Sequence, residues 1–171
     1  MKTLFALCVV ALALSNPITM SQVYRISPTE NESQEVIVGI LKGMGFSSSF
    51  GSISRCMTDV VDAGDDVVIG MEDMAGGTPK DELHAVEEFV KAFQFVLGAF
   101  NQCLTTKIPE QGKLERAIHQ LTNIYSFNFE KLIINDFDIS EEPKSMRVHY
   151  DIGGWYMVGY NLGLIVEKMS K

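Results

Sequence analysis

From Leu83 to Leu104, apolar residues recur at alternating steps of three and four: Leu83, Val86, Val90, Phe93, Leu97, Phe100 and Leu104. That spacing lines one face of an α-helix and no face of a strand. Two more stretches share it. One is Ile53, Met57, Val60, Gly64, Val67, Met71 and Met74; the other is Val148, Ile152, Trp155, Gly159, Leu162, Val166 and Met169. No segment shows sustained period-two alternation between turn signals. The expected fold is all-α, an antiparallel bundle of about five helices with one disulfide.

Punctuation residues set the expected boundaries. Ser33 is read as the N-cap of a first helix running to about Met44, and Gly45 to Gly51 as a loop. A second helix spans about Ser52 to Ala75. Gly76-Gly77 ends it, Thr78 caps the third helix, and Pro79 takes the favoured first position. The third helix runs to about Thr105. A fourth starts after Pro109 and Gly112 with Leu114, Ile118, Leu121 and Tyr125 on one face, and bends near Ser126 to Asn128. A short apolar segment follows through Ile134. Ser140 is expected to cap the last helix.

Residues 1–15 read as a cleavable signal peptide. Lys2 gives the positive start, Leu4 to Leu14 the apolar run, and Ala13 and Ser15 the small-residue cleavage signal. The run is shorter than the roughly 20 residues that cross a bilayer. Residues 16–32, with Pro17 and Pro28, read as a flexible arm, and residues 33–171 as the helical domain. The expected location is outside the cell or in the secretory lumen. Asn31-Glu32-Ser33 is a glycosylation sequon, making Asn31 a candidate glycan site.

Lys2 is one of 14 basic residues and none of the 22 acidic ones lies in the signal, so the mature chain carries a formal charge of −9. Such a chain suits neither nucleic acid nor anionic membranes, both of which are gripped by Lys and Arg. No transmembrane span is expected.

Cleavage also removes Cys8 and leaves Cys56 and Cys103 in an oxidising compartment, where a disulfide is the default. Placed as heptads, the second and third helices put both cysteines on the g edge, and g faces g in an antiparallel pair. Facing residues then have numbers with a constant sum, here 159. Ala63 with Val96 and Gly70 with Phe89 share it, small against large. A Cys56–Cys103 bond would close a loop worth about 4 kcal/mol.

The last helix carries Gly153, Gly154, Gly159 and Gly163. Each costs about 1 kcal/mol against Ala in a helix interior. Close approach of a neighbouring backbone at Gly159 would offset that. The alternative is a ligand cleft floored by Gly159 and walled by Trp155, Tyr156 and Tyr160, with Phe93 of the third helix nearby.

Asp59, Asp62, Asp65, Asp66, Glu72 and Asp73 crowd the second helix without a basic residue among them. A solvated face accounts for this. The sharper alternative is a docking face for a basic protein, through Asp59, Asp62, Asp66 and Asp73. Asp136-Phe137-Asp138 starts like a calcium loop but lacks the glycine and the closing carboxylate of an EF-hand. His84, His119 and His149 stand on three different helices with no metal-ligand spacing. No G-x-S-x-G elbow is present. No catalytic residue, metal or cofactor is assigned.

The signal peptide, Cys56 one turn into a helix, Cys103 ending the next and the closing Gly159-Tyr-Asn-Leu-Gly163-Leu resemble small secreted helical proteins of single-celled eukaryotes such as ciliates. The resemblance implies secretion and a helical fold, and carries no functional residues across. The expected function is a secreted, non-enzymatic binding or interaction protein, carrying a lipid or other small apolar molecule between helices. The alternatives are an interaction module using the acidic face and, ranked below it, a secreted hydrolase.

Overall fold

Thr29 fixes where the first helix begins. Its hydroxyl accepts from the Glu32 amide at 3.4 Å, and its own amide donates to the Glu32 carboxylate at 2.7 Å. This reciprocal capping box satisfies two helix-end donors. It opens α1 (Glu30–Gly43) four residues before the expected cap, Ser33. Ser33 is instead fully buried and packs against Gly64. The computed structural model describes residues 29–46, 60–104, 108–123, 133–134 and 136–171. The expected signal peptide, most of the arm, Cys56, Asp59 and the bend near Ser126 to Asn128 lie outside them.

α1 ends in a Schellman motif. Gly45 takes φ +83°, and the amides of Gly45 and Phe46 close back on Lys42 and Leu41. That turn delivers Phe46 into the core against Phe100, with ring centroids 5.8 Å apart.

α2 (Val60–Gly76) and α3 (Pro79–Cys103) form the expected hairpin around Gly77, which has φ +68°. Thr78 caps α3 by accepting from the Asp81 amide at 3.2 Å. The expected register holds at its testable point: a Cβ on Gly70 would stand 2.5 Å from Phe89 Cε1.

α4 (Pro109–Thr122) follows, started by the Gln111 side chain, which accepts from the Ile108 amide at 2.7 Å. A two-residue antiparallel ladder, β1 (Ile133–Ile134) with β2 (Phe137–Asp138), turns at Asp136, whose φ is +65°. It adds no layer.

The expected single last helix is two: α5 (Glu141–Asp151) and α6 (Trp155–Met169). The reason is a second Schellman motif. Gly153 takes φ +71° and donates to Tyr150, while the Gly154 amide reaches back to His149 at 2.7 Å. The described residues therefore hold six helices, not five. The break also undoes the long stripe. Val148 and Ile152 are exposed, at 61% and 74%, whereas Trp155, Gly159, Leu162, Val166 and Met169 are buried as expected. Ser140 occupies the cap position of α5 without a cap bond from its side chain; the Asp138 carboxylate takes the Ser140 amide at 2.9 Å.

α1 lies against both α2 and α6, α3 carries α4, and α5 packs on α6 and α2. The closest contact is between α1 and α6. Gly39 and Gly43 of α1 meet Gly159 and Gly163 of α6, so that backbone touches backbone. A Cβ on Gly159 would stand 2.7 Å from the Val36 carbonyl carbon and closer still to its oxygen. Contacts advance together along both helices, Val36 with Gly159 and Ile40 with Gly163, so the two run parallel. Around this crossing the core collects Ile37, Ile40, Val158, Leu162 and Val166. No helix among the described residues is long and apolar enough to cross a membrane.

Candidate functional site

α3 is amphipathic on two sides. Its Phe93 and Phe100 face the core, while Leu83, Val86 and Val90 run along the edge that meets α4. α4 is shorter than α3, and its last turn brings Leu121 and Thr122 opposite that edge. The result is a half-open groove of about 250 Å³ with an apolar floor of Leu83, Val86, Val90 and Leu121. Its rim carries Glu87, Lys91, Gln94 and Thr122. Lys91 is already committed, donating to Glu88 at 2.6 Å.

The cleft expected around Gly159 is not formed, because the backbone of Val36 fills the space above that glycine. Trp155 is buried, not a cleft wall. Its ring meets Tyr150 edge-on with centroids 5.5 Å apart. The bonds from Thr29 hold the Glu32 carboxyl below its usual range. Phe93 is a core residue at 1% exposure. Tyr156 and Tyr160 are together, stacked at 6.3 Å, with Tyr156 exposed. Val148 and Ile152 are exposed apolar side chains as well. Sequence reasoning missed the partner of Gly159 and Gly163, although Gly39 and Gly43 repeat their four-residue spacing.

The acidic residues of α2 do not form one solvated face. Asp62 is exposed, but Asp66 and Asp73 turn toward α3. His84 bridges the two helices: Nδ1 lies 2.6 Å from Asp73 Oδ2, and Nε2 lies 3.3 Å from Glu88 Oε1. Glu88 is only 3% exposed. Asp66 buries one carboxylate oxygen with no hydrogen-bond partner among the described residues. Burial, and after it the charge of Glu88, push its carboxyl up to about 6. Isolated histidine spacing gave no sign of this seam; it needs the hairpin register.

Asn31 is exposed in the first turn of α1, while Ser33, the third residue of its sequon, is buried. The backbone of Cys103 ends α3. No group of three or more His, Cys, Asp or Glu among the described residues is placed to hold a metal ion. The charged groups that are placed together suit proton exchange and salt bridging, and the groove suits apolar binding. Compared with known proteins, the chain matches no family model, no curated protein and no solved structure.

Proposed function

We propose that this chain is a secreted, non-enzymatic binding protein that holds a small apolar ligand in the groove between α3 and α4. The observation carrying this reading is the groove itself, an apolar floor with polar groups at one rim. Such a layout buries an apolar body and orients a polar head. Its volume matches about eight water-sized groups, enough for a short alkyl chain. Lys91 donates to Glu88, and Glu87 stands on the same rim, so acidic groups border the groove. The rim therefore favours a neutral or cationic head over a carboxylate. Secretion rests on the N-terminal apolar run, and the Cys56–Cys103 bond on the pattern of the sequence.

Calorimetry with decylamine, decanol and decanoate tests the reading. Saturable binding of the first two, weaker binding of decanoate, and loss in Leu83→Trp support it. Absence of binding by all three overturns it. Glu87→Gln is expected to remove the preference for the amine. A second reading, a protein-interaction surface, is favoured by the exposed apolar side chains of Val148, Ile152 and Tyr156. It predicts that Ile152→Asp abolishes partner capture and leaves ligand binding intact.

A further inference from the structure

We infer that the seam between α2 and α3 is a proton-operated clasp, in which protonation of His84 and Asp66 tightens the hairpin and loss of those protons loosens it. The geometry of His84 carries the first half. Both ring nitrogens face carboxylates, Nδ1 toward Asp73 on α2 and Nε2 toward Glu88 on α3. A neutral imidazole can keep its N–H on Asp73 but brings no charge to Glu88; the imidazolium keeps that bond and sets a positive charge with Nε2 3.3 Å from Glu88 Oε1. The positive charge is thus held in place by two carboxylates, which raise the affinity of the ring for its proton, the bond to Asp73 acting most.

Asp66 carries the second half. One of its oxygens is buried without a donor among the described residues, and across the seam lies the buried carboxylate of Glu88. Burial and the nearby negative charge of Glu88 both favour a proton on Asp66. The charges acting on Asp66 are Glu88, Lys91, Asp62 and Asp65, and those on His84 are Asp73, Glu88 and Glu87. All sit on the two helices of the hairpin. Lys91 is the single cation among them besides His84, and it is spent on Glu88.

The two groups act in the same direction. The His84 contribution is complete below the ordinary histidine value of 6.5 and is lost as pH rises through its higher folded value. Asp66 binds its proton more tightly when folded, near 6 against 3.8, so its ionisation weakens the fold above about pH 6 and that penalty fades as pH falls. Glu32 and Asp138 oppose this only at lower pH. Their folded values are depressed, so their contributions are lost as pH drops below the ordinary carboxylate range. Stability therefore climbs from pH 8 to about pH 5 and then declines, the ordering expected of a protein that tightens in a mildly acidic compartment.

The test is thermal unfolding of the full chain from pH 4.5 to 8, with Asp66→Asn, His84→Gln and the double variant. The wild-type midpoint is expected to rise by about 3–6 °C between pH 8 and pH 5. Asp66→Asn, which mimics the protonated form, is expected to raise the midpoint at pH 8 and leave it unchanged at pH 5. The double variant is expected to lose most of the slope while keeping His119 and His149. NMR titration of the His84 ring, readable in the wild type alone, is expected to give a value above 6.5. A flat or falling wild-type midpoint toward pH 5, a double variant with the full slope, or a His84 value at or below 6.5 would each overturn the inference.

Discussion

Replacing Gly159 with Ala adds one methyl group where two backbones touch. In an exposed helix interior that change is favourable by about 1 kcal/mol. Here the new Cβ would stand 2.7 Å from the Val36 carbonyl carbon and 2.9 Å from its Cα, against an ordinary contact of 3.4–4 Å. These are backbone atoms, so no side chain can swing aside. α1 and α6 must separate by the order of an ångström, and a gap of that size forfeits a quarter to a half of each dispersion contact along the seam. Val36, Ile40, Val158, Leu162 and Val166 share that loss. Overpacking costs typically 1–3 kcal/mol, and the lost contacts add to it. The expected net destabilisation is about 2–4 kcal/mol after the helix-propensity gain. Gly98 is the control, because nothing lies within 4 Å of the Cβ it would gain. Gly98→Ala should stabilise by about 0.5–1 kcal/mol. Urea melts followed by far-UV circular dichroism compare the two. If Gly159→Ala equals or exceeds the wild type in stability, the close α1–α6 contact is wrong.

Gly70→Ala should likewise fail to stabilise, because its Cβ meets the buried Phe89 ring. Gly70→Leu should cost roughly 1–3 kcal/mol, partly recovered by Phe89→Ala, and additive urea-melt effects would refute the shared volume. Trp155→Phe should lose about 1–2 kcal/mol through the space it leaves in the core beside Tyr150. As the sole tryptophan, Trp155 should emit at short wavelength until unfolding, and exposed-type emission from the native protein would contradict its burial. Lys113→Met should cost about 1–2 kcal/mol, since Lys113 ties α4 to the Met44 carbonyl at 3.0 Å and to Glu167 on α6. An unchanged urea midpoint would show those bonds to be idle.

Helical period and punctuation made most of the fold legible. The α2–α3 register followed from the pattern of small against large residues, and Gly70 on Phe89 is where it can be read in the structure. The first helix start was missed because two candidate caps compete, and Thr29-x-x-Glu32 wins by satisfying two donors where Ser33 offers one. The last helix was read as continuous because its three-four stripe survives a break whose cause, a positive φ at Gly153, leaves the spacing untouched. The groove and the clasp were less legible. Leu83 and Leu121 become neighbours only when α4 folds back on α3, and His84 gains two carboxylates from positions 11 residues away and four residues away.

The parallel contact of α1 with α6 also orders the folding of the chain in time. Gly39 and Gly159 are 120 residues apart in sequence, whereas α2 and α3 meet across a two-residue turn. Sequence-distant pairings form late, since a long loop must close before they are rewarded. At ribosomal rates, α1 leaves the tunnel on the order of ten seconds before α6 exists. Through that interval Val36 and Ile40, both fully buried in the native protein, lack the partner that covers them. The hairpin of α2 and α3 is complete earlier and gives α1 a first surface through Ser33 and Gly64. Closure of the α1–α6 seam is then the final step, and a chain interrupted before α6 keeps the hairpin but leaves the face of α1 open to aggregation.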